Sequence, residues 1–130
     1  MHVRDAVEED GEVLGELADA PAEVMRNVVH DRTVRVAETD GEVVGFVGFD
    51  AMPGIVRVTY LRGSEAARER LLDEPVRFAR KEGMSVEVLV PEGEAKTQTV
   101  VEDAGFAKVG TGPRFEGGRT IEYRFDPASD

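Results

Sequence analysis

The sequence predicts one α/β domain spanning residues 1–130, a mixed sheet of about six to seven strands with about four helices. Three observations carry this. Apolar residues recur at helical spacing before Asp31 and with a period of two from Thr33. Asp40-Gly41 and Pro53-Gly54 punctuate the alternating stretch at hairpin spacing, which makes it an antiparallel meander. A long helical pattern then separates two β-branched runs, Ile55 to Tyr60 and Ser85 to Val90, the signature of a right-handed strand-helix-strand crossover with a central parallel pair.

Val3 to Ala6 reads as a short first strand. Glu8-Glu9-Asp10 opens a helix with negative charge at its positive dipole end, and Val13, Leu14 and Leu17 form its apolar stripe. Pro21 suits the first turn of a second helix, where Val24, Met25, Val28 and Val29 share one face. Both helices are expected to be half-buried. In the second strand Val34 and Val36 alternate with Arg35. Asp40-Gly41 supplies the two positive-φ positions of a type I′ hairpin, and the third strand returns from Val43 to Phe49. Pro53-Gly54 turns the chain into the fourth strand, with Ile55, Val56, Val58 and Tyr60.

Glu65 to Glu82 is helical, with Ala67, Leu71, Leu72, Val76, Phe78 and Ala79 as its apolar positions and Gly83 as its stop. Pro75 removes a hydrogen bond from that helix at a cost of ~3 kcal/mol, so a kink near Leu71 and Leu72 or a restart at Glu74 is expected. Ser85 to Val90 has the composition of a strand buried on both faces. A shorter helix runs from about Glu94 to Asp103, and Gly105 ends it before Phe106. Lys108 to Gly110 begins another strand, Glu116-Gly117-Gly118 turns, and Thr120 to Phe125 closes the sheet. Pro127 to Asp130 reads as a frayed tail.

There is no cysteine, which excludes a disulfide framework, a thiolate zinc site and a cysteine nucleophile. His2 and His30 lie far apart, so no metal centre is expected. No run approaches the ~18 apolar residues of a membrane span, and MHVRDAVEED is charged where a secretory signal would be apolar. A cytoplasmic protein with no membrane partner is expected. The 27 acidic and 16 basic residues, net −11, argue against attraction to nucleic acid or anionic lipid. Lysine occurs only at Lys81, Lys96 and Lys108, and carboxylates fall throughout the chain, a pattern that resembles halophilic, haloarchaeal proteins, with an acidic mesophilic protein as the alternative. Molar salt shortens the Debye length to about 3 Å, so this net charge would hardly repel an anionic ligand at a distance.

In α/β sheets ligands bind beyond the carboxyl ends of parallel strands, at the topological switch. That point is the exit Tyr60-Leu61-Arg62-Gly63-Ser64. The helix start behind it offers unpaired N–H groups and partial positive charge to a phosphate or pyrophosphate, and glycine permits close approach. Ser64 as an ordinary N-cap explains the same residues with no ligand.

The order of elements also carries a resemblance. Val3-Arg4-Asp5-Ala6 with Asp10, the hairpin Asp40-Gly41-Glu42-Val43-Val44-Gly45-Phe46-Val47, Arg62-Gly63, Leu71-Leu72 with Val76 and Phe78-Ala79-Arg80, and Ala104-Gly105-Phe106 with Val109-Gly110 together resemble the GNAT superfamily of acyl-CoA-dependent N-acyltransferases. The resemblance covers essentially the whole chain. It implies acetyl-CoA as acyl donor, held by backbone N–H groups of the turn after the fourth strand, with the acyl group between two splayed parallel strands. A primary amine, on a small molecule or a peptide, then attacks the thioester directly in a ternary complex. Backbone N–H groups around Thr59 to Leu61 would meet the developing oxyanion. Carried over residue by residue, the cofactor-binding positions are Tyr60, Leu61, Arg62, Gly63, Ser64, Glu65, Ala66, Ala67 and Arg68.

Two departures stand out. The family turn reads R/Q-x-x-G-x-G/A, and in the frame Arg62 to Ala67 its central glycine is Glu65. In the frame Gly63 to Arg68, set by Leu71-Leu72, that position is Ala66 and Arg68 comes last. A carboxylate beside a pyrophosphate is unfavourable unless it points to solvent, whereas Arg62 and Arg68 are suited to phosphate. The family's asparagine and tyrosine of the fourth helix fall at Glu94 and Val101, and valine donates no proton. Another group, water or no dedicated acid are the alternatives, and Tyr60 is the nearest replacement group, although an aromatic at that strand end is also explained by capping the sheet edge. Glu87, Glu42 and Asp50 are candidate bases acting through water, and His30 is the mid-chain group of near-neutral pKa, though it also suits a helix C-terminus. The acceptor is not legible, and sheet edges of this fold leave a homodimer open. Glu65 and Val101 favour a second reading, a catalytically degenerate acyl-CoA-binding or protein-interaction module. A third, an unrelated small α/β binding module, requires that the crossover be absent.

Overall fold

A computed structural model describes residues 1–115 and 118–127. Its strands are β1 (His2–Asp5), β2 (Thr33–Thr39), β3 (Glu42–Met52), β4 (Ile55–Gly63), β5 (Ser85–Pro91), β6 (Ala107–Phe115) and β7 (Gly118–Phe125). Its helices are α1 (Gly11–Ala18), α2 (Ala22–Asp31), α3 (Glu65–Glu82) and α4 (Ala95–Asp103). The strands form one sheet in the order β1-β2-β3-β4-β5-β7-β6, antiparallel except between β4 and β5.

Local chemistry explains the meander. Asp40 and Gly41 take φ of 52° and 79°, the pair of positive values a type I′ turn requires, and Thr39 pairs with Glu42 across it. Gly54, φ 76°, closes the next turn and sets Met52 opposite Ile55. The crossover is present: α3 connects β4 to β5, whose parallel register runs from Ile55↔Ser85 to Val58↔Val88. Every β5 residue from Val86 to Val90 is buried, as its β-branched run predicts. The helix α3 starts on Ser64 and stops at Gly83, φ 70°, and it passes Pro75 unbroken instead of restarting at Glu74.

Apolar residues pack on both faces. Under α3 and α4 lie Val47, Phe49, Val56, Val58, Leu71, Leu72, Val86, Val88, Val101 and Tyr123. Under α1 and α2 lie Leu14, Ala18, Met25, Val34, Val36, Phe46 and Tyr60.

Some expectations need correction. The first helix does not open at Glu8. Glu8–Asp10 is a 3₁₀ turn, because the Asp10 carboxylate accepts the Val7 N–H at 2.8 Å and two N–H groups of Arg4 at 2.9 and 3.0 Å. The Arg4 bonds outweigh the effect of burial and hold that carboxyl below its ordinary range. On α2 only Met25 is fully buried, and Val24 is 43% exposed, so the four expected positions do not form one covered face. The third strand extends to Met52 and the sixth spans nine residues. Pro127 is buried, whereas the rest of the expected tail, Ala128 to Asp130, and the turn residues Glu116 and Gly117 lie outside the described residues. Among the described residues no helix is long and apolar enough to cross a membrane.

Candidate functional site

The site originates in one extra residue. Phe49 pairs with Val58 and Gly48 with Tyr60, so Thr59 is a β-bulge in β4. The insertion reverses the side-chain alternation: Val58 and Leu61 both face α3, while Tyr60 faces α1 and α2. It also coincides with the end of the β4–β5 ladder at Val58↔Val88. Beyond it β4 follows β3, Tyr60 to Gly63 lying opposite Gly48 to Gly45, while β5 follows β7 from Leu89↔Glu122 to Pro91↔Thr120. The parallel strands therefore part, and a cleft of about 1040 Å³ opens between them. Arg32 Nη1 donates to Thr59 Oγ1 at 2.5 Å, tying the bulge to the end of α2.

Leu17 to Pro21 and Val24 wall the cleft on one side. Arg62, Gly63 and Arg68 form its base, and Pro91, Gly93 to Lys96, Gly118 and Arg119 form the opposite wall. The start of α3 is set tightly against β3. Gly63 has φ 119°, and a Cβ there would lie 2.3 Å from the Val44 carbonyl oxygen and 2.4 Å from Gly45 Cα. A Cβ on Gly45 would lie 2.7 Å from Ala67 Cβ. Only glycine permits this approach. The Ser64 N–H donates to Val44 O at 3.0 Å and Ser64 Oγ accepts the Ala67 N–H at 3.2 Å. The Glu65 and Ala66 N–H groups thus have no partner among the described residues, and the positive end of the helix dipole remains available there.

The predicted turn divides accordingly. Arg62, Gly63 and Arg68 line the cleft, so the cations of both alignment frames meet in one place. Ser64 caps the helix, and Glu65 and Ala66 are exposed on its first turn; none of the three is in the cleft lining. Leu61 and Ala67 are buried. Tyr60 is 4% exposed and packs on Phe46 with ring centroids 5.6 Å apart, and the Arg62 guanidinium lies 5.9 Å from its ring centroid.

Residues that sequence reasoning missed complete the cleft. Arg62, Arg68, Lys96 and Arg119 face two carboxylates, Asp19 and Glu94, a local balance of +2 (four minus two) in a chain of net −11. Arg62 Nη1 lies 3.1 Å from Glu94 Oε2. Arg68 Nη1 donates to Thr97 Oγ1 at 2.8 Å, and Thr97 Oγ1 donates to Glu94 Oε1 at 3.1 Å. Arg68 Nε is buried with no hydrogen-bond partner among the described residues. The Glu94–Thr97 spacing of three was a readable signal for one helix turn, but nothing local connects Arg119 to this place.

The residues considered for proton transfer lie elsewhere. Glu87 pairs with Arg57 at 2.7 Å across the joined part of β4 and β5, and Asp50 lies 3.5 Å from Arg32. Glu42 is exposed at the hairpin, and His30 is exposed beside Glu8. None of these lines the cleft. Val101 is fully buried in the core. Among the described residues no three His, Cys, Asp or Glu are grouped to hold a metal.

No family model and no curated protein sequence matches this sequence. Solved structures do match. A GNAT-family protein from Desulfovibrio desulfuricans superposes with TM-score 0.79 at 19% identity, covering 98% of this chain and 99% of that one. A ribosomal-protein-alanine N-acetyltransferase from Brucella melitensis gives 0.78 at 17%, covering 97% and 99%. The PaiA N-acetyltransferase from Thermoplasma acidophilum gives 0.75 at 14%, covering 95% and 98%. The fold, a seven-stranded mixed sheet with one parallel pair and four helices, is the GNAT fold.

Proposed function

We propose that this chain is a GNAT-type N-acetyltransferase that moves an acetyl group from acetyl-CoA to a primary amine by direct attack in a ternary complex. The observation that carries the reading is the cationic cleft, which opens at the parted parallel strands and ends at the uncovered start of α3. Its residues fit a diphosphate: Arg62, Arg68, Lys96 and Arg119 supply charge, Arg68 Nε is a buried donor lacking an acceptor among the described residues, and the unpartnered Glu65 and Ala66 N–H groups adjoin the lining at the start of α3. In support, the similar PaiA enzyme is described in complex with coenzyme A. Glu65 need not oppose phosphate, since it is exposed outside the cleft lining.

Acetyl-CoA, when bound, supplies an acyl group activated as a thioester. This chain's part is to orient that group and stabilise charge. Arg62 and Arg68 would hold the phosphates, Leu61, Ser64 and Ala67 fix the turn that presents the free N–H groups, and backbone N–H groups between Thr59 and Leu61 would be the donors to an oxyanion. A thiol is far more acidic than an alcohol, with the cysteine side chain at about 8.5, so a departing thiolate would make a smaller demand on an acid than an alkoxide would. Tyr60→Phe decides between Tyr60 and water: a tenfold or greater loss of kcat at unchanged binding assigns Tyr60, and an unchanged kcat assigns water.

Calorimetric titration with acetyl-CoA in molar potassium chloride, beside desulfo-CoA, tests the reading, followed by CoA release across a panel of amines. Absence of binding at millimolar cofactor refutes it. Arg62→Ala should weaken binding by about tenfold or more, the effect of a hydrogen bond to a charged group. Val101 in the core favours the second reading, an acyl-CoA-binding module without transfer. Binding without CoA release on any amine selects it. We also propose that the dispersed acidity is an adaptation to salt, so the melting temperature should rise from low to molar potassium chloride.

A further inference from the structure

We infer that Glu94 is a resident counter-anion, a carboxylate that occupies Arg62 until a phosphate-bearing ligand displaces it. The affinity of the cleft is then set by that competition. The inference rests on reading the cleft as a phosphate site.

Glu94 is the N-cap residue of α4, with φ −100° and ψ 72°, yet its side chain caps nothing in its own helix. Both oxygens turn toward the cleft cluster instead. Oε2 meets Arg62 Nη1 at 3.1 Å, and Oε1 accepts from Thr97 Oγ1, which itself accepts from Arg68. One carboxylate thus spans from the β5–α4 wall to the end of β4 and serves both arginines.

Exposure indicates which partner is indispensable. The Arg62 side chain is 11% exposed and cannot rely on water, so its charge requires a neighbouring anion, whereas Glu94 is 34% exposed and can move into solvent. The cluster is also short of acceptors. One carboxylate serves Arg62 directly and Arg68 only through Thr97, and among the described residues Arg68 Nε has no partner and Lys96 and Arg119 form no ion pair. A multivalent oxyanion entering the cleft would satisfy these donors together and release Glu94. A diphosphate does so better than a single carboxylate because it brings more oxygens.

The test compares wild type, Glu94→Gln, Arg62→Ala and the double variant, titrated calorimetrically with inorganic pyrophosphate and separately with CoA. Glutamine keeps the shape and an acceptor for Thr97 but removes the charge. Glu94→Gln should bind pyrophosphate roughly three- to tenfold more tightly than wild type, the range for loss of a partly buried ion-pair competitor. In the Arg62→Ala background the gain should fall below twofold, since the carboxylate acts through Arg62; a purely structural strap would change the melting temperature and leave this coupling at zero. Equal or weaker binding by Glu94→Gln, an equal gain without Arg62, or no pyrophosphate binding by either protein overturns the inference. Tightened pyrophosphate binding with no CoA binding keeps it and refutes the acetyl-CoA reading; CoA binding indifferent to Glu94→Gln does the reverse. Should Glu94→Gln not fold, Glu94→Asp, too short to reach Arg62 as closely, should tighten binding in the same direction by a smaller factor.

Discussion

Gly63→Ala puts the geometry of the candidate site to its most demanding test. The new Cβ would lie 2.3 Å from Val44 O, 2.4 Å from Gly45 Cα and 3.0 Å from the Val44 carbonyl carbon. All three are backbone atoms, so no side chain can rotate away, and the strands must shift by about 1 Å to restore ordinary contact. Such overpacking costs about 1–3 kcal/mol, and holding alanine at φ 119° costs about 1–3 kcal/mol more. A total near 4 kcal/mol is a large part of the roughly 5–15 kcal/mol that stabilises a domain, and corresponds to a fall in melting temperature of about 10–20 °C at this size. Gly83→Ala is the control, because Gly83 has φ 70° with no atom within 4 Å of its Cβ position, so only the backbone cost of about 1–2 kcal/mol applies. Urea unfolding of both variants measures the difference, expected at about 2–3 kcal/mol after the shared φ cost is removed. A difference below about 1 kcal/mol would refute the claim that close packing of Gly63 on β3 seats the start of α3. Gly63→Ala should also weaken cofactor binding where Gly83→Ala does not.

Glu74, buried in α3, binds Arg35, Arg70 and Arg77. Burial alone would raise its pKa, but the three arginine bonds together hold it below the ordinary carboxylate value. A depressed folded-state pKa contributes stability above the unfolded value of about 4.3 that is lost as pH falls through the lower folded one, so Glu74→Gln should flatten the acid limb of a stability–pH curve. At pH 7 it should cost about 2–3 kcal/mol by urea unfolding, less than for a fully buried pair because Arg70 and Arg77 reach solvent. The Tyr123 hydroxyl donates to Glu102 at 2.8 Å, and burial followed by that bond pushes its pKa up to about 12. Absorbance titration should show a late tyrosine step near that pH, absent in Tyr123→Phe, with the corresponding stability present below about pH 10 and lost as pH rises through the folded value.

Features whose cause is local were legible from the residues. Asp40-Gly41 specifies a type I′ turn through backbone sterics, Gly83 stops a helix by the same physics, and Val86, Val88, Leu89 and Val90 declare a buried strand by their composition, whereas the burial of Glu87 depends on its partner Arg57. The crossover followed from period and length, and with it the place where a ligand would dock. Arg62 and Arg68 could be proposed for the same reason, as they flank a helix start that sequence alone identifies.

What could not be read depends on residues distant in the chain. Thr59 is a bulge only because β3 presents one fewer residue than β4, and that count exists only once the strands are paired. The parallel ladder ends at the same place, after Val58. Arg119 and Lys96 reach the cleft through separate elements, so a chain of net −11 collects its cations locally by folding and not by sequence clustering. Glu94 illustrates the division most clearly. As a residue it marked only a departure from a familial asparagine; in three dimensions it is the counter-charge of Arg62, 3.1 Å away. The sequence by itself determined the order of helices, strands and turns, since these obey short-range sterics and hydrophobic period. Only tertiary structure decided which charges share a cavity, because Coulomb interaction and desolvation depend on distance in space, and chain separation does not encode it.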